Sequence, residues 1–107
     1  MTVADRPGVQ VSVEAGGDPS APVIRLSGEL DLASVEATNA GIAQYLDAST
    51  EHVTFDLEKL TFMDSSGIAL LVRISNSVGR VSLTHVPPIV YRVLEITGLL
   101  EHFGVSA

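Results

Sequence analysis

Cysteine and tryptophan are both absent from the 107-residue sequence. Without cysteine there is neither a disulfide framework nor a thiolate metal site, which is compatible with a reducing compartment. The only aromatics of the Phe/Tyr/Trp type are three Phe and two Tyr, so a core has to be built mainly from Val, Leu, Ile and Ala. Basic residues are also scarce, 6 against 13 acidic ones for a formal charge of -7, and they form no run. A phosphate backbone or an anionic membrane surface is a poor electrostatic match for such a chain. No stretch approaches the roughly 18 uninterrupted apolar residues that mark a membrane span, and the opening "MTVADRPG" lacks the charged and apolar regions of a signal peptide. These absences predict a soluble, cytoplasmic protein with no direct nucleic-acid contact and no membrane insertion.

What is present is a chain with 46% hydrophobic residues, enough for one compact domain and too short for two comfortable ones. A single domain over residues 1–107 is expected, with 1–8 as a flexible N-terminus. "VQVSV" (9–13) and "VIRLSG" (23–28) alternate apolar and polar residues around the loop-like "GGDPSAP" (16–22), the signature of an antiparallel hairpin. From Asp31 the period becomes helical, placing Leu32, Val35, Ile42 and Leu46 on one side with Tyr45 beside them, and either Asp31 or Ser34 is the cap. "HVTFDL" (52–57) reads as a strand. A second helix is expected from about Ser66 to Val78, apolar around most of its circumference and therefore central, with Gly79 ending it. "RVSLTHV" (80–86) reads as another strand. Pro87 and Pro88 then suit the start of a third helix, with Val90, Val93, Leu94 and Thr97 inward and Gly98 as the stop. The order β-β-α-β-α-β-α implies an α/β fold, a small mixed sheet with helices packed mainly on one face.

The most informative stretch is "FMDSSGIALL" (62–71), which sets an acid, two hydroxyls and a glycine ahead of an apolar run. One reading is capping alone, with Asp64 or Ser65 accepting amide hydrogen bonds. The other is a hydroxyl presented for modification. Gly67 sacrifices up to about 1 kcal/mol relative to Ala in a helix, and close approach by a partner, nucleotide or kinase to the neighbouring hydroxyl is a compensating reason. A helix N-terminus tolerates negative charge, so a phosphoryl group there need not unfold the domain.

Three stretches, "LSGELDLAS" (26–34), "VTFDLEKLTFMDSSGIALLVR" (53–73) and "VYRVLEITGLLEHFGV" (90–105), resemble the STAS domain family, and within it the small bacterial anti-sigma factor antagonists. The resemblance implies that Ser65 is phosphorylated by an anti-sigma factor that is itself an ATP-dependent serine kinase. It further implies that the unphosphorylated antagonist binds that anti-sigma factor and frees a sigma factor, while a phosphatase resets the cycle. Asp31, Asp64, Ser65, Ser66 and Gly67 are then the partner-binding residues: Asp64 shapes the kinase contact, Ser66 and Gly67 form the start of the helix, and Asp31 borders the same surface. No cofactor and no catalytic residue are implied. Small STAS proteins also serve as regulatory subunits of ABC-type lipid transporters, the alternative reading.

Other chemistries find less support. Neither Ser65 nor Ser66 lies in a Gly-x-Ser-x-Gly elbow, and His52, His85 and His102 are far apart, without a recognisable pairing or metal-ligand spacing. There is no Walker-type glycine loop for a nucleotide. Asp5, Asp18, Glu29, Asp31 and Glu36 read as a solvated acidic surface, with Glu29 and Asp31 the two able to face a partner. Leu99, Leu100 and Phe103 either close the bottom of the core or offer a patch to a second subunit.

Overall fold

The structure is a computed structural model that describes residues 12–106. It contains β1 (Ser12–Asp18), β2 (Ala21–Leu30), α1 (Val35–Ala43), β3 (His52–Met63), α2 (Ser65–Val78), β4 (Arg80–Thr84), α3 (Pro88–Ile96), a 3-10 turn (Leu100–His102) and β5 (Gly104–Ser106). The strands form one sheet in the order β1-β2-β3-β4-β5. β1 pairs antiparallel with β2, and every other pairing is parallel. Right-handed crossovers between successive parallel neighbours carry all three helices to the same side of the sheet.

The alternating residues that face those helices make the core: Ile24, Leu26 and Leu30 from β2, Val53, Phe55 and Leu57 from β3, and Val81 and Leu83 from β4. Ile42 of α1, Leu70, Leu71 and Ile74 of α2, and Val90 and Leu94 of α3 cover them. The opposite face is polar and open, with Arg25, Thr54, Asp56, Ser82 and Thr84 all partly or fully exposed. As the sequence predicts, α2 is largely enclosed; its solvent side is the stripe Ser65, Ala69, Arg73, Asn76 and Ser77, which recurs at helical spacing.

The predicted loop at 16–22 is almost all strand, because Gly16, Gly17 and Asp18 pair with Val23, Pro22 and Ala21, leaving Pro19 and Ser20 as the turn. Gly17 permits this with φ of 86°, and Asp18 accepts hydrogen bonds from the Ser20 amide and hydroxyl. Positions 9–11 of the predicted first strand, and Asp5, lie outside the described residues. Leu32 does not share the buried side of α1 with Val35; it sits in the preceding turn, 75% exposed. Tyr45, just past α1, is also exposed.

β3 runs six residues beyond the predicted "HVTFDL". The extension is hidden from a period-2 search by two register shifts against β2, one between Arg25 and Ser27 and one between Gly28 and Glu29. Each inserts an extra residue into β3, so buried positions fall at Leu57, Leu60 and Met63, three apart instead of two. β4 stops at Thr84, because His85 adopts φ of 52° and turns the chain toward α3. In α3, Val90 and Leu94 are buried and Val93 is half-buried, but Thr97 is exposed, its hydroxyl donating to the Val93 carbonyl at 2.8 Å. Gly98, at φ of 76°, ends the helix as expected. β5 has no counterpart among the predicted strands. Phe103 is buried, and Leu99 and Leu100 pack partly buried against the core, so this segment closes the domain.

Candidate functional site

The carboxyl ends of β2 and β3 bring together two loops that are more than thirty residues apart. Asp64, directly after β3, is the N-cap of α2: its Oδ1 accepts the Ser66 amide at 2.8 Å and the Gly67 amide at 3.4 Å. Its own amide donates to the Leu30 carbonyl at 3.1 Å, and its Oδ2 accepts the Leu32 amide at 3.3 Å. One carboxylate therefore fixes the start of α2 and the turn after β2.

That turn has its own lock. The Asp31 amide donates to Ser34 Oγ and the Ser34 amide donates to Asp31 Oδ1, each at 3.0 Å, while Ser34 Oγ donates to the Glu29 carbonyl at 2.9 Å. Ser34 occupies the N-cap position of α1 but makes no side-chain capping bond; its hydroxyl is spent on the turn. Of the two candidate caps, Asp31 and Ser34, neither caps α1 with its side chain; they are engaged with each other instead.

Ser65 is the first residue of α2 and is exposed, whereas Ser66 is half-buried and donates its amide to Asp64. Capping and presentation are thus divided between neighbours: the aspartate caps and the serine faces out. Gly67 is buried. A Cβ there would lie 2.7 Å from Met63 Cγ and 2.8 Å from Leu30 Cγ. The close approach that the glycine allows is to the chain's own core, which corrects the expectation that it leaves room for a partner. The neighbourhood of Ser65 is also more acidic than an empty helix terminus, because the Asp64 carboxylate already holds two first-turn amides. A nucleotide phosphate would have to displace it.

An open groove of about 900 Å³ lies beside α3, lined by residues that include Val86, Tyr91 and Phe103 and by none of the five predicted site residues. The histidines do have partners that the sequence spacing conceals. His52 Nε2 lies 2.7 Å from Ser82 Oγ across β3 and β4, and His85 Nδ1 lies 3.2 Å from Asp56 Oδ1. Arg25 Nε is 3.5 Å from Asp56 Oδ2. Burial pushes the Asp56 pKa upward, but the Glu58 amide, His85 and Arg25 together outweigh it and hold the carboxyl below its ordinary range. These contacts belong to the open face of the sheet. His102 is exposed and stacks edge-on with Phe103, ring centroids 5.1 Å apart. Among the described residues no group of three or more His, Asp or Glu is placed to hold a metal, and no helix is long and apolar enough to cross a membrane.

Comparison with known proteins gives the same picture from outside. The chain is 37% identical over 82 residues to an anti-sigma F factor antagonist of Lysinibacillus sphaericus, covering 72% of this chain and 70% of that protein. Its structure superposes on the anti-sigma factor antagonist SpoIIAA in the unphosphorylated form with a TM-score of 0.75 and 27% identity, over 90% of this chain and 89% of that one. The phosphorylated form of the Bacillus cell fate determinant SpoIIAA gives a TM-score of 0.68 and 26% identity, over 90% and 92% of the two chains. The family model described as "STAS domain" matches residues 12–107. With the predicted architecture in place and that match spanning the sheet, its helices and the Asp-Ser-Ser-Gly segment, the chain belongs to the STAS domain family.

Proposed function

We propose that this protein is an anti-sigma factor antagonist that works by partner exchange. Unphosphorylated, it binds an anti-sigma factor that is a serine kinase and so frees a sigma factor; phosphorylation of Ser65 releases it, and a phosphatase resets it in the cytoplasm. It acts as ligand and substrate, not as a catalyst. The observation that carries this reading is the exposed Ser65 hydroxyl at the first position of α2, in a chain whose similar proteins include anti-sigma factor antagonists.

The physics of the switch is local. A phosphoserine brings about -1.5 to -2 charges at pH 7. Here it arrives beside Asp64, whose carboxylate already takes the first-turn amides, on a chain with a formal charge of -7. Such a group stays solvated on the free protein and is poorly tolerated in a closed interface, and each 1.4 kcal/mol of that penalty weakens affinity about tenfold.

The test combines binding with intact mass. Incubation with the cognate anti-sigma kinase and ATP is expected to add one phosphate to the wild-type chain and none to Ser65→Ala. Ser65→Ala should bind that kinase as the unphosphorylated wild type does, and Ser65→Asp at least about tenfold more weakly. Equal affinities for the two variants, or capture of transporter ATPase and permease subunits with no change in mass, would sink the reading.

A further inference from the structure

The carboxyl end of the parallel strands, where Ser65 stands, also carries large apolar side chains that the fold leaves uncovered. Leu32, after β2, is 75% exposed, Phe62, near the end of β3, is 43% exposed, and Ile89, at the start of α3 after β4, is 63% exposed. The strand order β2-β3-β4 sets Ser65 between the loops that bear Leu32 and Ile89, and neighbouring strands are only about 5 Å apart. Single exposed leucines are ordinary on protein surfaces. Leu32 differs because its backbone is fixed from both sides, by the Asp64 carboxylate at 3.3 Å and by the reciprocal Asp31–Ser34 bonds. An apolar side chain on a pre-ordered turn is covered by a partner at little further ordering cost.

We infer that Leu32 is the apolar anchor on which the anti-sigma factor seats, so that Ser65 lies within the desolvated part of the interface. This rests on the function proposed above and specifies where the binding energy comes from. It also states what the phosphate does: it puts a dianion next to the side chain whose covering by protein drives association. The partner surface that fits is an apolar recess without its own acidic rim, since the antagonist is itself acidic.

Purified kinase-type anti-sigma factors from the source organism, titrated one at a time, provide the test. Leu32→Ala is expected to weaken binding roughly ten- to a hundredfold and to raise KM for phosphorylation of Ser65 while kcat holds. Leu32→Met, which keeps the bulk, should stay within about threefold of wild type. Ile96→Ala, at the far end of α3 and 72% exposed, serves as a remote control and should change nothing. Both positions are solvent-facing, and a thermal melt confirms that each variant folds. If Ser65→Asp loses affinity but Leu32→Ala binds like wild type, the anchor is refuted while the proposed function stands. If no anti-sigma factor binds the wild-type chain, or Ser65→Asp and Leu32→Ala both bind as it does, the function falls and takes the anchor with it.

Discussion

Gly67 stands in the first turn of α2, where Leu30 and Met63 leave no room for a side chain. Glycine in the first turn of a helix is costly and asks for compensation, and that much is visible in "DSSG" alone. The compensation lies with Leu30 and Met63, whose Cγ atoms would stand under 3 Å from any Cβ at this position. Met63 is near in sequence but Leu30 arrives from another strand, and no local pattern announces it. Gly67→Ala is therefore expected to destabilise: overpacking costs about 1–3 kcal/mol, and the better helix preference of Ala returns up to about 1 kcal/mol. A net loss of about 1 kcal/mol in urea denaturation is the expected outcome; a stabilised variant would mean that the two side chains move aside freely. Asp64 and Ser65 were more legible, because capping and exposure follow from position within a single turn.

Among the elements, β3 marks the limit of periodicity. Its first half alternates cleanly and is found from sequence, whereas the second half is disguised by two inserted residues and looks like a connector. β5 escaped for a different reason, since three residues are too few to display any period. The polar side of β3 carries a testable electrostatic feature. The Asp56 pKa lies below its ordinary value in the folded state through the Glu58 amide, His85 and Arg25. A depressed folded-state pKa adds stability that is present above the ordinary carboxylate pKa and is lost as pH falls through the lower, folded-state value. Asp56→Asn should thus be less stable than wild type at neutral pH, with a difference that shrinks under acid titration followed by circular dichroism. A difference independent of pH would assign the effect to packing. Because the pair partners are half exposed, the contribution is that of a screened surface cluster and is small.

For the whole molecule, the separation between the core and the proposed phosphorylation site matters most. The helix-covered face of the sheet holds the apolar interior, while Ser65 stands on the narrow solvent stripe of α2. Charge added at Ser65 should consequently change association without changing folding. Ser65→Asp is expected to unfold within about 0.5 kcal/mol of wild type, as exposed substitutions generally do, when measured by chemical denaturation. A loss of several kcal/mol would recast the switch as an unfolding event. The α/β order, the mixed sheet and the central place of α2 are all legible from hydrophobic spacing; what spacing does not reveal is which loops meet at the carboxyl ends of the strands.

That meeting rests on the Asp64 side chain, which holds the start of one helix with one oxygen and the turn before another with its second. The two segments are in effect a single module written in two places along the chain. Exchanging either segment for its counterpart from another family member would require moving both together, since a graft of one alone would carry half of a hinge pin into a socket cut for a different one.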